Sequence, residues 1–261
     1  MTRAKPVILY REEDHLDKSE LNAAREHFNI YHNRALIPSY STVIGRYSVL
    51  PYYSELDKDL ACSGSNLINT YSQHRYIANF NYYEDVKEHT FETWDKLVDI
   101  PNEGSFVVKG RTNSRKARWN THMFAVNRAR AIEVATELMQ DPMIDPQGII
   151  IRRYEELEFI EEGINGQPFV NEHRCFFYRE NLIATGFYWF QSEKSKEIDQ
   201  EGIDFAYKIA KIISNKTNFF VLDIAKNKQG NWRLVEVNDG QMSGLCTINP
   251  NTFYSTLAKQ F

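Results

Sequence analysis

The sequence has little of the residues that mark several common protein classes. Its 261 residues include three cysteines, Cys62, Cys175 and Cys246, which are widely spaced and form no CxxC pair. This usage predicts reduced thiols in a cytoplasmic compartment and gives no zinc signal. No stretch approaches the roughly 20 apolar residues that a membrane helix needs. The apolar residues 7–10 are followed by charges, a run too short for a signal peptide.

A positive charge surplus is also missing. The chain has 31 basic and 35 acidic residues, a net charge of −4, so no global field attracts nucleic acid or an anionic membrane. The sequence contains neither GxGxxG nor GxxxxGK[ST], which removes the main support for a Rossmann or P-loop protein. With 42% hydrophobic and 13% aromatic residues, the chain can bury a core in one large domain or two modest ones.

The order of hydrophobic patterns predicts an α+β protein, because strands and helices do not alternate regularly. A helix is expected over residues 19–28, with Ser19 as its N-cap. Further predicted helices cover residues 84–98, 126–139 and 202–213. Predicted strands cover residues 7–10, 40–50, 105–108, 148–154, 175–178 and 182–190.

The most informative segment is residues 219–240, which predicts a hairpin turned at Gln229 and Gly230. Symmetric pairing about that turn sets Asp223 opposite Glu236, and alternation puts Asn238 on the same face. These are hard oxygen ligands of the kind that Mg²⁺ takes. A solvated hairpin face is the alternative. Because the flanking residues are apolar and a buried unpaired carboxylate is costly, we favour a metal.

Lys109 ends an apolar strand and opens a polar loop over residues 110–118. A lysine followed by exposed amides and arginines is a reasonable phosphate cradle. The alternatives are a lysine that reaches solvent, or a loop that contacts RNA or single-stranded DNA with Trp119 stacking on a base. Since the patch is one short loop on an acidic protein, we favour a nucleotide over nucleic acid.

Two further segments carry weaker signals. Residues 149–158 change abruptly from a buried strand to charged residues, and such an edge can present backbone groups to adenine. Glu172 and Arg174 share one strand face, away from Cys175 and Phe177. An inward-facing arginine suits a triphosphate or an acyl-phosphate, whereas an exposed Arg–Glu pair is the structural alternative.

Taken in order, these elements resemble the ATP-grasp superfamily, and within it the RimK-like and phage-type carboxylate–amine ligases. The resemblance covers residues 98–245, and the pattern of Asp223, Glu236 and Asn238 is its most specific part. It implies an ATP-grasp fold with the nucleotide between two α+β subdomains, residues 81–150 and 151–261. An N-terminal α/β pre-domain, residues 1–80, would precede that domain.

The resemblance also implies residue roles. Lys109 and Ser114 would bind ATP phosphates, and Arg174 would hold the γ-phosphate and the acyl-phosphate. Mg²⁺ would be held by Asp223, Glu236 and Asn238. Adenine contacts would come from the backbone of Arg153, Tyr154 and Glu155, and a ribose contact from Glu161 or Glu162. The phosphate loop departs from the family by its few glycines, and Arg75 and Lys87 are the candidates for an upstream ATP-binding lysine.

The function implied is an ATP- and Mg²⁺-dependent ligase that joins a carboxylate to an amine through an acyl-phosphate. The carboxylate and amine substrates would be small molecules, peptides or a protein terminus. The alternatives are a phosphotransferase with a hydroxyl acceptor and a nucleotide-binding protein without turnover. We expect Arg46 and Tyr47, outside the nucleotide elements, to help select the acceptor, with ordinary surface as the alternative.

Overall fold

The computed structural model describes residues 5–10, 18–46 and 52–261. The first part of the chain, here called the N-terminal unit, is a parallel sheet with helices packed against it. Its strands are β1 (Val7–Leu9), β2 (Ile30–Tyr31), β3 (Thr42–Gly45) and β4 (Asn66–Leu67), in the order β2-β1-β3-β4. Its helices are α1 (Lys18–His27), α2 (Tyr53–Cys62) and α3 (Tyr71–Ala78). Parallel strands need such crossovers, which gives this unit its α/β character.

The next part is an antiparallel sheet with one long helix against it. Its strands are β5 (Thr93–Trp94), β6 (Phe106–Gly110), β7 (Phe124–Ala125) and β8 (Ile149–Arg153), in the order β5-β8-β6-β7. The helices are α4 (Tyr82–Val86), α5 (Trp119–His122) and α6 (Arg128–Leu138). Ala131, Val134 and Leu138 of α6 pack on Phe106 and Val108 of β6. We call this part the central unit.

The last part, the C-terminal unit, is built on a second antiparallel sheet. A small hairpin comes first, with β9 (Phe159–Glu162) and β10 (Pro168–Val170). The main strands are β11 (Glu172–Tyr178), β12 (Asn181–Phe187), β13 (Phe219–Lys226) and β14 (Trp232–Asp239), in the order β12-β11-β13-β14. Helices α7 (Gln200–Ile213) and α8 (Pro250–Ala258) cover opposite faces of this sheet.

The α+β class and most predicted elements are confirmed, but one predicted helix is wrong. Residues 84–98 do not form a continuous helix, since α4 ends at Val86 and β5 pairs with β8. The segment between them holds β-branched and aromatic residues, which suit a half-buried sheet edge better than a helix. Thr90 fixes this path, because its hydroxyl donates to the carbonyl oxygen of Leu234 at 2.8 Å.

Smaller differences concern the ends of elements. Helix α1 begins at Lys18, so Ser19 lies inside the helix and is not its N-cap. Strand β3 is shorter than the predicted strand over residues 40–50, whose last four residues lie outside the described part of the chain, as does Tyr47. The three cysteines are free thiols. Within the described ranges, no helix has both the length and the apolar character required to cross a membrane.

Candidate active site

A cavity of about 460 Å³ lies between the central sheet and the C-terminal sheet. Val107, Lys109 and Arg152 line it from β6 and β8, and Glu172 and Glu236 line it from β11 and β14. Its apolar lining includes the side chains of Phe91, Val107, Met123, Leu157, Val170 and Val235. A largely apolar cleft with a few converging charges is the usual form of a small-molecule site.

Lys109 of β6 and Glu236 of β14 form an ion pair across this cavity. Both are largely buried. Burial lowers the pKa of Lys109, while Glu236 opposes that shift. Burial also works against the Glu236 carboxylate, but the adjacent Lys109 and Lys116 hold the pKa of Glu236 below its ordinary value. The carboxylate is therefore ionised at neutral pH, and the two sheets are joined by a charged contact.

Arg174 and Asp223 form a second buried pair on neighbouring strands. The Arg174 Nε and Nη2 atoms donate to the two Asp223 carboxylate oxygens, each at 2.8 Å. Its Nη1 donates to the carbonyl oxygen of Gly244 at 2.9 Å. The strand is buried throughout, so an exposed Arg–Glu pair is wrong, and the partner of Arg174 is Asp223 rather than Glu172. Burial works against the guanidinium charge, but the Asp223 carboxylate holds the pKa of Arg174 well above its ordinary value.

The hairpin of β13 and β14 has the expected register, with Asp223 opposite Glu236. The Asn238 Nδ2 atom donates to Asp223 Oδ2 at 3.1 Å and to Glu236 Oε2 at 3.2 Å. One amide group thus lies within hydrogen-bond reach of both carboxylates. In the described part of the chain, no three His, Cys, Asp or Glu side chains converge as a metal site. A cation here would therefore depend on two carboxylates, one amide oxygen and ligands from a substrate, a set that suits Mg²⁺.

Two cations at this site carry no role in the sequence-based prediction. Lys116 is buried against Tyr188, with Nζ 4.1 Å from the ring centroid, and donates to the Tyr188 hydroxyl. Arg152 is 5% exposed, and its guanidinium donates to the carbonyl oxygen of Val235 and the hydroxyl of Thr90. A charged residue inside the apolar run of β8 was the available signal for Arg152. Lys116 gave no signal apart from its place in a basic loop.

Glu172 adds a buried acid to this cluster. It is 4% exposed and lines the large cavity. Burial raises the pKa of Glu172 to about 7, and the nearby Lys116 opposes the shift. The charge of this carboxyl group is therefore sensitive to small changes in its surroundings near neutral pH.

A second cavity adjoins the first at the charged side chains. The two cavities share Ser114, Lys116 and Glu236 in their linings. The second cavity is also lined by Arg174, Asn238, Tyr188 and the loop residues Met242, Ser243 and Gly244. The charged cluster thus stands at the junction of two spaces, which is the arrangement needed to bring two substrates to one reacting centre.

The segment after β8 lines the large cavity as expected, but its backbone is partly engaged. The Arg153 N–H donates to the Glu92 carbonyl oxygen and the Tyr154 N–H to the Ser105 carbonyl oxygen. The Arg153 guanidinium contacts Glu92, and the Glu155 carboxylate accepts from Asn227. Contacts from Arg153 and Tyr154 to adenine therefore cannot use their N–H groups.

The acids expected near a ribose are placed differently. Glu161 and Glu162 of β9 lie outside the lining of the large cavity, and Glu161 accepts hydrogen bonds from Ser192 and from the Glu193 N–H. Glu158, one residue before β9, lines the cavity instead and accepts from Asn171 at 2.9 Å. The local pattern of acids does not reveal which of them faces inward.

The upstream candidates for a phosphate-binding cation lie on the surface. Arg75 donates to the hydroxyl of Tyr71, and Lys87 pairs with Glu84 at 3.3 Å. Neither lines the cavity between the sheets. The cations that line it, in the described residues, are Lys109, Lys116, Arg152, Arg153 and Lys228.

This architecture, two α+β units that enclose a charged cleft after a small α/β unit, is that of the ATP-grasp fold. The model of one ATP-grasp domain family, family 3 of its clade, matches residues 97–257, and the chain belongs to that family. The resemblance to ATP-grasp proteins and the fold class that it implied are thereby confirmed. No curated protein matches the sequence significantly.

Solved structures with the same fold include three ATP-grasp proteins. D-cycloserine synthetase DcsG has 13% identity and a TM-score of 0.65, with 97% of this chain and 99% of that chain covered. The ATP-grasp ligase PsnB, in complex with a minimal precursor, Mg and ADP, has 11% identity and a TM-score of 0.58, with 97% of each chain covered. A RimK-domain ATP-grasp protein from Sphaerobacter thermophilus DSM 20745 has 12% identity and a TM-score of 0.57, with 97% of this chain and 98% of that chain covered. At these identities the likeness concerns the fold.

Proposed function

We propose that this protein is an ATP- and Mg²⁺-dependent ligase that joins a carboxylate to an amine through an acyl-phosphate. The observation that carries the proposal is the charged cluster at the junction of two cavities. Lys109 pairs there with Glu236, and Arg174 pairs with Asp223. Family membership and the ligases among the proteins of like fold support the same reaction class.

The nucleotide would occupy the cavity between the two sheets. Adenine would lie among its apolar side chains, such as Val107, Met123 and Leu157. Glu158 is the better candidate for a ribose contact than the predicted Glu161 or Glu162, because it lines the cavity. The phosphates would lie near Lys109, Lys116 and Ser114, where the cations compensate their charge.

Mg²⁺ would be held by Asp223, Glu236 and Asn238, and it would supply charge neutralisation for the phosphoryl group in transfer. The donor set fits, since Asn238 lies within hydrogen-bond distance of both carboxylates. Lys109 and Arg174 compensate these two carboxylates in the structure. With a cation in place, both side chains would be released to contact phosphate oxygens.

The second cavity would hold the carboxylate substrate beside Arg174. A carboxylate oxygen would attack the γ-phosphorus, and the bond to the ADP leaving group would break. The amine would then attack the carbonyl carbon, and phosphate would leave as the amine loses a proton. Arg174 would stabilise negative charge on phosphoryl and carbonyl oxygens in both steps, since its planar fork suits such oxyanions.

The experiment supplies Mg·ATP, a pool of carboxylates and hydroxylamine as a generic amine, and measures ADP and hydroxamate. Formation of hydroxamate together with ADP supports acyl activation. Phosphorylation of a hydroxyl acceptor with no hydroxamate would favour the phosphotransferase, and nucleotide binding without ADP would favour a protein without turnover. Absence of Mg·ATP binding by calorimetry would overturn the proposal as a whole.

A further inference from the structure

A second buried charge cluster joins the N-terminal unit to the loop that follows β14, residues 240–244, here called the site loop. Arg46 is 2% exposed, so its interpretation as ordinary surface is wrong. Its Nη1 atom donates to the carbonyl oxygens of Gly240 at 2.8 Å, Gln241 at 3.1 Å and Ser243 at 2.9 Å. Three carbonyl oxygens of the loop thus converge on one nitrogen of the guanidinium.

The other side of that guanidinium is also fully engaged. Arg46 Nη2 and Nε donate to Glu20 Oε1 at 2.6 and 3.1 Å, and the Tyr254 hydroxyl donates to the same oxygen at 2.8 Å. Glu20 belongs to α1 and Tyr254 to α8. The charge is therefore compensated inside the protein, as a buried ion pair requires.

The site loop connects this cluster to the candidate active site. It begins two residues after Asn238, and Met242, Ser243 and Gly244 line the second cavity. The Gly244 carbonyl oxygen accepts from Arg174 Nη1 at 2.9 Å. Arg46 therefore holds one side of a five-residue loop whose other side orients Arg174.

Other contacts of the site loop also come from the N-terminal unit. The Gln241 side chain accepts from the Gly45 N–H at 3.1 Å and donates to the Tyr53 hydroxyl at 2.6 Å. Asp239, just before the loop, accepts from Asn69 at 3.0 Å and lies 3.1 Å from His74 Nδ1. The N-terminal unit thus fixes the path of the chain on both sides of Gly240.

We propose that Arg46 is a positioning residue, which sets the site loop and through it the place of Arg174 and the wall of the second cavity. This rests on the proposed function for its catalytic consequence. The N-terminal unit then acts on the substrate side of the site by shaping the loop, and Arg46 itself does not touch substrate. The nucleotide cavity, which the site loop does not line, would be unaffected.

Arginine is needed here because of its geometry. Its fork of donors reaches three carbonyl oxygens and a carboxylate at once, whereas a lysine offers a single ammonium group. Arg46→Lys keeps the charge that Glu20 requires but leaves carbonyl oxygens of the site loop without their donor. Each lost bond to a charged donor in a buried place corresponds to about tenfold or more in a local opening equilibrium.

The test compares Arg46→Lys with Leu60→Ala, a control that weakens the core of the N-terminal unit away from the loop. Three quantities are measured: hydrogen exchange of the amides at residues 240–246, the affinity for Mg·ADP, and the rate of hydroxamate formation. In Arg46→Lys we expect loop exchange to rise and hydroxamate formation to fall by about tenfold each, with Mg·ADP affinity within about threefold of the parent. The control should show neither of the first two changes.

Loop exchange equal to that of the control, or a uniform rise over the whole chain, would overturn the proposal. So would a loss of Mg·ADP affinity as large as the loss of activity. If Arg46→Lys does not fold, the double variant Arg46→Gln and Glu20→Gln removes both charges together and avoids an unpaired buried ion. A parent that binds no Mg·ADP would refute the proposed function, while the exchange comparison would still decide whether Arg46 holds the loop.

Discussion

The two faces of the C-terminal sheet use the same strands for different ends. One face, here called the cavity face, presents Glu172, Arg174, Asp223, Glu236 and Asn238 near the junction of the two cavities. Because side chains alternate, the intervening residues of each strand point to the other side. These charges are thus confined to one face, where cations and carboxylates compensate one another.

The opposite face, the helix face, is apolar and packs on α7. Cys175, Phe177 and Leu222 lie there with Ile209 and Ile213 of the helix. The imidazole of His173 on this face is 1% exposed and stands between the rings of Phe187 and Trp232. Burial lowers the pKa of His173 to about 4, so the imidazole is neutral at physiological pH.

The comparison teaches that the cavity face retains charge at a cost in folding. Buried ion pairs contribute little net stability, whereas well-packed apolar residues of like size often contribute more. The helix face has the arrangement that stability alone would favour. We therefore expect conservative changes on the cavity face to affect catalysis and changes on the helix face to affect stability.

The largest effect is expected for Arg174→Lys. This change keeps the charge but removes the fork that grips Asp223 and, in the proposed reaction, the acyl-phosphate. Hydroxamate formation should fall by at least about 100-fold, the scale for loss of one oxyanion donor, while Mg·ADP affinity changes much less. Arg25→Lys, at an exposed position of α1, is the matched control. Equal activity in the two variants would remove Arg174 from the reaction.

A smaller effect is expected for Glu236→Gln, which makes one proposed metal ligand neutral. Nucleotide affinity measured by calorimetry should fall by about tenfold when Mg²⁺ is present and change little without it, since the lost charge acts through the cation. Glu26→Gln, exposed on α1, controls for loss of a surface charge. An affinity that is independent of Glu236 at every Mg²⁺ concentration would contradict its assignment as a ligand.

Lys109→Met tests the cation that pairs with Glu236. Affinity for Mg·ATP should fall by about fivefold to tenfold, as for one charge-assisted contact. A loss of thermal stability should accompany it, because the Glu236 carboxylate is left buried without its partner. Mg²⁺ added alone should restore part of that stability in the variant if the carboxylates bind it, and a thermal melt measures this. No recovery at millimolar Mg²⁺ would speak against the metal site.

The contacts that could be predicted from the sequence are those that local pairing decides. Asp223 and Glu236 belong to one hairpin, so alternation and the turn were enough to set them opposite each other. The fold followed from the order of elements and from the resemblance. Lys109 was found because a lysine after an apolar strand is a local pattern.

What could not be predicted depends on contacts between distant parts of the chain. Arg46 meets carbonyl groups of the site loop almost 200 positions away, and nothing near Arg46 in the sequence announces that it is buried. Glu158 is held at the cavity by a partner on β13, because its N–H donates to the Lys226 carbonyl oxygen. The false helix over residues 84–98 arose because Phe91 packs beneath the guanidinium of Arg152, a partner outside the segment.

The smallest effect in the parent protein concerns two adjacent residues, Glu172 on the cavity face and His173 on the helix face. Burial disfavours the charged form of both, so it raises the pKa of Glu172 to about 7 and lowers the pKa of His173 to about 4. The ordinary values are 4.5 and 6.5. Between about pH 4.5 and 6.5, folded Glu172 holds a proton that the unfolded chain has lost, and folded His173 lacks a proton that the unfolded chain has gained.

The two residues therefore give opposite slopes of stability against pH. Glu172 makes stability fall as pH rises through this window, and His173 makes it rise, each by up to about 1.4 kcal/mol per pH unit. Their contributions largely cancel in the parent. Glu172→Gln should expose the rise and His173→Gln the fall, as measured by urea unfolding between about pH 4.5 and 6.5, with His27→Gln as the control. Slopes of the same sign in both variants would show that burial does not set both pKa values, and the two faces would no longer differ in this respect.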